Sequence, residues 1–212
     1  MSGRRRRRGL LVALEGIDGT GKSTLTGALA TALRRRGLSV AVRREPADPR
    51  LGRLAQEASV LDAWTGAVYF TVDRHLVQGE VRRDLARYDV VLSDRSYFST
   101  LAYQGSALPP RDRGRLERIQ WEATVAPDRV VLLELAPSEA LQRLERRSRT
   151  RAPLERRRTL ERVARAYRRL SRRPGWIVLD GRRPARELVA AAVRALGFDR
   201  GPRATRPGGE RR

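Results

Sequence analysis

The chain has 212 residues, 46 of them basic and 24 acidic, for a formal net charge of +22 and an apolar content of 40%. There is no cysteine and only one histidine, His75, which excludes a disulfide framework, thiolate chemistry and a histidine-rich metal site. The length suits one domain with a sizeable core.

In chain order, residues 1–8 hold little besides arginine, glycine and serine, and read as a disordered basic tail. The apolar run Leu10–Leu14 is too short for the core of a signal sequence, and nothing else approaches membrane-spanning length, so a cytoplasmic protein is expected. Leu10–Leu14 reads instead as a buried parallel strand. It enters EGIDGTGKST, residues 15–24, in which Gly16-Ile17-Asp18-Gly19-Thr20-Gly21-Lys22-Ser23 fits G-x-x-x-x-G-K-[ST] and Thr24 follows. In such a loop the glycines turn backbone N–H groups onto phosphate, the lysine reaches between the β- and γ-phosphates of ATP, and the serine hydroxyl ligates Mg²⁺. Every basic residue of the chain except Lys22 is arginine. A chain so biased keeps a lysine where a compact point charge is required and a planar guanidinium would not fit. Leu25, Leu29, Ala32 and Leu33 recur at helical spacing just afterwards, so a helix N-terminus faces the anion.

Leu38–Val42 reads as a second strand, followed by helical stretches within 51–62 and 64–87. Tyr88–Ser93 is a third strand with Asp94 at its end, Arg129–Leu135 a fourth and Trp176–Leu179 a fifth. Strands alternating with helices predict an α/β fold of P-loop NTPase type: a doubly wound, five-stranded parallel sheet flanked by helices, with ligands at the C-terminal ends of the strands. One domain over 9–198 is expected, with a second disordered basic tail over 199–212. Residues 143–173 carry fourteen arginines against three glutamates, so the excess charge lies in this segment and the two tails. No recognition fold or aromatic interleaving accompanies the tails, and only weak, nonspecific nucleic-acid contact is expected of them.

Asp94 ends a strand beside the glycine loop, where a carboxylate can hold Mg²⁺ or its waters, and Arg95 is placed to grip a phosphate. Phe70 and Arg74, four apart on a predicted helix, share a face on which a ring can stack on a base while a guanidinium donates to its carbonyl.

EGIDGTGKST, REP at 44–46, YFTVDRH at 69–75, DRSYFSTLAYQG at 94–105, the arginine-dense stretch near 143–158 and WIVLDGRRPARELV at 176–189 together resemble the thymidylate kinase family, P-loop enzymes that phosphorylate dTMP to dTDP with ATP and Mg²⁺. The resemblance covers roughly residues 9–197. It implies that Arg95 and Arg44 hold the acceptor phosphate, that Phe70 stacks on thymine and Arg74 reads its O4, and that Thr100 faces the N3 edge. It further implies that Tyr103 crowds C2′, that Gln104 supports the same pocket, and that Asp18 reaches the sugar hydroxyl or the magnesium shell. Gly16 to Thr24 would hold the ATP phosphates, with Ser23 and Asp94 at the metal. In the family an arginine, on the loop or on a closing lid, meets the charge spread over the transferring γ-phosphoryl oxygens. This loop contains no arginine, so the resemblance assigns that role to a lid over about 143–158, with Arg143, Arg147, Arg149 and Arg151 as candidates. Arg156–Arg158 and beyond read as a solvated helix face. A homodimer is expected from the resemblance alone.

The sequence departs from the family pattern in three places. Ala47-Asp48-Pro49 replaces a glycine-rich loop, Ser96 follows Asp94-Arg95 where an aromatic or histidine is usual, and Arg151-Ala152-Pro153-Leu154-Glu155 lacks the usual lid aspartate. Two other readings stay open at this point. One is a deoxynucleoside kinase acting on thymidine, with Glu45 as the base that a 5′-hydroxyl needs. The other is a nucleotide-binding family member without turnover that acts through its basic tails.

Overall fold

The computed structural model describes residues 8–148 and 154–199, without the side chains of residues 147, 148, 154 and 155. The readings made for the tails beyond these bounds, for Arg149 and Arg151, and for the side chain of Arg147 lie outside the described residues. β1 (Leu10–Glu15) leads through the glycine loop to α1 (Lys22–Arg34) and β2 (Val40–Arg44). Three helices follow, α2 (Pro49–Leu61), α3 (Ala63–Leu76) and α4 (Gln78–Arg87), before β3 (Val90–Asp94). α5 (Tyr97–Tyr103), a 3-10 turn at Gly105–Ala107 and α6 (Pro110–Ala123) lead to β4 (Arg129–Glu134). α7 (Pro137–Ser148) and α8 (Leu154–Leu170) precede β5 (Trp176–Asp180), and α9 (Ala185–Ala195) is the last described element.

All pairings are parallel, in the order β2-β3-β1-β4-β5, as the alternation of strands and helices predicts. The chain leaves β1 for β2 and β3 on one side and then crosses to β4 and β5 on the other. The crevice for a ligand therefore opens at the C-terminal end of β1. Side chains alternate across the sheet. Val12 and Leu14 pack with Leu25, Leu29 and Leu33 of α1 and with Ala192 of α9, whereas Ala13 belongs to the opposite layer with Phe98 of α5 and Leu160, Val163 and Tyr167 of α8. Each such Leu or Val removed from water contributes about 1.5–3 kcal/mol, which anchors the loop that β1 carries.

The helix expected over 64–87 is two helices, α3 and α4, meeting at Val77. The buried Gln78 side chain donates to the Arg74 carbonyl at 2.9 Å and accepts from the Val125 N–H at 2.7 Å. A side chain thus takes the carbonyl that a continuing helix would have used, and the chain turns. At the other boundary Arg8 is paired with Asp128 at 2.6 Å. No helix among the described residues is long and apolar enough to cross a membrane.

Candidate active site

After Glu15 the chain turns through Gly16, Gly19 and Gly21, with φ of 144°, 89° and 94°. A Cβ at Gly16 would stand 2.6 Å from the Leu133 carbonyl oxygen, and one at Gly19 2.5 Å from that of Ala140, so neither position accepts a side chain. Gly21 begins α1 with no side chain capping the helix, and the first amides of α1 can therefore serve an anion. Thr20 Oγ1 and Lys22 Nζ both donate to the Ile17 carbonyl, at 3.0 and 2.9 Å. Lys22 is 6% exposed. Burial and then the charge of Arg95 bring its pKa down to about 8, against the pull of Asp18, Glu15 and Asp94.

Leu14 of β1 is in register with Asp94 of β3, which brings the loop and the aspartate together. Ser23 Oγ donates to Asp94 Oδ2 at 2.5 Å. A hydroxyl and a carboxylate oxygen meeting there form a hard-oxygen pair that fits Mg²⁺. Arg95 has φ 81°, a left-handed conformation that costs a non-glycine residue on the order of 1–3 kcal/mol. Its guanidinium pairs with the Asp18 carboxylate, donates to Ser99 Oγ at 3.1 Å and lies 5.4 Å from the centre of the Tyr103 ring. The Asp18 N–H donates to Tyr103 Oη at 3.0 Å. Burial alone would raise the Asp18 pKa, but Arg95 and then Lys22 outweigh it and hold the carboxyl below its ordinary value.

Two groups of side chains share the lining of a cavity of about 420 Å³: the Asp18–Arg95–Tyr103 set, and Phe70, Arg74, Thr100 and Gln104. That volume suits a small-molecule ligand. Arg74, 3% exposed, donates to Glu45 Oε2 at 2.7 Å, Gln120 Oε1 at 2.6 Å, Thr100 Oγ1 at 3.2 Å and the Ser96 carbonyl at 3.3 Å. Most of its five N–H groups are thus committed, and the guanidinium is fixed in place by the protein's own groups. Gln104 Nε2 donates to Ser59 Oγ at 3.0 Å, which joins α5 to α2 across the cavity wall. Glu45, which a nucleoside hydroxyl would need as base, is tied to Arg74, and burial raises its pKa against that pairing.

Two of the sequence departures acquire a local reason. Asp48 is the N-cap of α2, accepting from the N–H groups of Arg50 and Leu51, and Pro49 is the first helical residue. The buried Asp73 carboxylate accepts from the N–H groups of Ala47 and Asp48 at 2.8 and 2.7 Å, so the loop is fixed without glycines. Ser96 is the N-cap of α5 and donates to Glu15 Oε1 at 2.7 Å.

Asp18, Phe70, Arg74, Arg95, Thr100, Tyr103 and Gln104 are therefore brought into one cavity beside Lys22, Ser23 and Asp94. Arg44 is not: it ends β2 in register with Asp94, but its side chain is exposed and outside the lining. Arg143 donates to the Gly181 carbonyl at 3.0 Å, which directs it to the loop after β5. Arg156, read from the sequence as part of a solvated face, lines the cavity, while its neighbour Arg157 pairs with Glu161 at 3.5 Å. Sequence reasoning also missed Glu15, Asp73 and Ser99, although all three stand inside the motifs quoted above. Tyr167 was missed as well, and its signal was slight: one aromatic on the buried side of an arginine-rich helix, spaced from Leu160 and Val163 by seven and four residues.

Residues 14–192 match the family model described as "Thymidylate kinase". The chain is 33% identical to "Probable thymidylate kinase" of Pyrobaculum calidifontis, over 87% of this chain and 94% of the relative. It is 37% identical to "Thymidylate kinase" of Xanthomonas euvesicatoria pv. vesicatoria, over 87% and 81%. It is 36% identical to "Thymidylate kinase" of Desulforudis audaxviator, over 91% and 93%.

Proposed function

The chain belongs to the thymidylate kinase family, and from that premise we propose that it phosphorylates dTMP to dTDP with ATP as donor and Mg²⁺ as the metal. The observation that carries this reading is the shared cavity, in which Arg95, a cation that can grip an anion, faces the same space as a ring and a fixed guanidinium, Phe70 and Arg74, with Asp18 beside it for the sugar hydroxyl or the magnesium shell. A 5′-phosphate oxygen of dTMP is already ionised at neutral pH, so it attacks the γ-phosphoryl group in line without a general base. Lys22 and the first amides of α1 hold the donor phosphates, and Arg95 orients the acceptor phosphate. Phe70 stacks on the base, with Arg74 and Thr100 at its polar edge. Tyr103, packed against Arg95, crowds the sugar at C2′, and Gln104 braces the wall through Ser59. Ser23 and Asp94 would hold Mg²⁺, which supplies charge neutralisation at the β- and γ-oxygens.

The developing charge calls for an arginine from the 143–158 segment, a contribution of about 10³–10⁵ in rate. Arg147, Arg149 and Arg151 are the residues assigned to it, joined by Arg156 from the cavity lining. Such a donor and acceptor suit a cytoplasmic enzyme. We also infer a homodimer through α2 and α3, whose outward side chains Leu54, Leu61, Val68, Val72 and Leu76 are apolar and exposed, Leu61 by 89%. Val68, Val72 and Leu76 fall four residues apart on one helical stripe, the pattern of a face that packs against another helix. Titration calorimetry with dTMP and thymidine tests the acceptor reading. Because Arg95 grips the phosphate, dTMP should bind well and thymidine weakly, whereas equal binding of the two would overturn it.

A further inference from the structure

Glu15 is wholly buried behind the glycine loop, and its carboxylate accepts from three hydroxyls, Ser96 Oγ, Ser99 Oγ and Tyr167 Oη, each at 2.7 Å. Ser99 Oγ also accepts from Arg95 Nη1 at 3.1 Å and lies 3.1 Å from Tyr167 Oη. Each hydroxyl has one proton to give. Ser99 spends its proton on Glu15, which turns its lone pairs toward Arg95, and Tyr167 spends its own on Glu15 as well. Hydrogen bonds therefore run from Arg95 through Ser99 to Glu15, and Tyr167 reaches the same carboxylate from α8.

Arg95 is held on two edges. Its Nη2 edge meets Asp18 in the cavity, where an acceptor phosphate would compete for it, whereas its Nη1 edge is held by Ser99, another residue of the lining whose own proton is committed to Glu15. The Ser99 hold can persist when an anion displaces Asp18. Tyr167 is suited to a fixed donor role, because burial, and then the neighbouring Glu15, push its pKa well above the ordinary tyrosine value. α8 also carries Arg156 to the cavity, so the helix meets the site directly in its first turn and again, through hydrogen bonds, at Tyr167.

We propose that Tyr167 is a positioning residue for acceptor binding: by fixing the Glu15 carboxylate, which in turn holds Ser99, it aims the Nη1 edge of Arg95 and ties helix α8 to the phosphate grip. The proposal rests on the reading of the cavity as a nucleoside monophosphate site. Tyr167→Phe keeps the ring and removes only the hydroxyl, and Ser99→Ala interrupts the same connection one step nearer to Arg95. Calorimetry with dTMP and with thymidine on the full chain, beside steady-state KM values for dTMP and ATP, reads the effect. Tyr167→Phe should weaken dTMP binding by about three- to tenfold, the range for one net hydrogen bond, and leave thymidine binding and the KM for ATP unchanged. The double variant should be no weaker than Ser99→Ala alone, because both act through one connection. Ser99→Thr, which keeps the hydroxyl, should retain dTMP affinity.

Equal losses for dTMP and thymidine, additive losses in the double variant, or a fall in kcat with unchanged dTMP affinity would each reduce Tyr167 to a packing role and overturn the proposal. Should Tyr167→Phe not fold, the Ser99 pair decides: Ser99→Ala behaving like Ser99→Thr overturns it. Wild-type protein that binds no dTMP would instead remove the acceptor reading itself.

Discussion

Replacing Arg74 with methionine isolates the electrostatic centre of the cavity wall. Methionine fills much of the volume of the arginine stem, so the principal change is the loss of the cation from a site where the side chains of Arg74 and Glu45 are 4% and 15% exposed. Breaking such a pair leaves a buried carboxylate without its partner, at about 3–5 kcal/mol. For a chain of this length each kcal/mol lowers Tm by about 2–4 °C, so Arg74→Met should melt roughly 6–20 °C below the parent. The pH dependence fixes the cause. Burial already raises the Glu45 pKa, and loss of Arg74 raises it further. Between the unfolded value and this raised value the folded state binds more protons, so folded stability falls as pH rises through that window. The deficit of Arg74→Met should therefore be larger at pH 8 than at pH 5, and Arg74→Met combined with Glu45→Gln should recover most of it. Circular dichroism melts at the two pH values provide the measurement. A deficit under about 1 kcal/mol, unchanged by pH and by the second substitution, would show that the pair behaves as a solvent-screened one and refute the reasoning.

The depressed pKa of Lys22, about 8, gives a second expectation: the cation that holds the donor phosphates is lost as pH rises through that value, so ATP affinity should fall about tenfold between pH 7 and pH 9. A flat profile in calorimetry over that range would contradict it. Asp48→Ala removes the cap of α2 and should cost about 1 kcal/mol, a lowering of Tm by about 2–4 °C, read by the same melts. Val68→Glu with Val72→Glu places two charges on the apolar stripe of α3, and light scattering should show a dimeric parent becoming monomeric.

The sheet was legible because each strand is a short apolar run between turn signals, and the observed strand ends fall within two residues of those read from the sequence. The glycine loop, Asp94 and Arg95 were legible for a related reason: their chemistry is carried by residue types at fixed spacing within single stretches. The break at Val77 was not, because it depends on the Gln78 side chain reaching both Arg74 and Val125, a contact across 47 residues of sequence in the second case. Glu15 and Tyr167 were hidden likewise, since they are 152 residues apart and meet only when α8 packs under β1. Arg156 could not be told from its neighbours by composition, and only the direction of the first turn of α8 separates it from Arg157.

Turnover of purified protein, followed by coupled detection of ADP with dTMP, dUMP, thymidine or no acceptor and beside a Lys22→Ala control, tests the central claim most directly. The account predicts rapid turnover with dTMP, little with thymidine or without acceptor, and none in the control. Turnover with thymidine exceeding that with dTMP, or ATP binding without turnover on any acceptor, would contradict it.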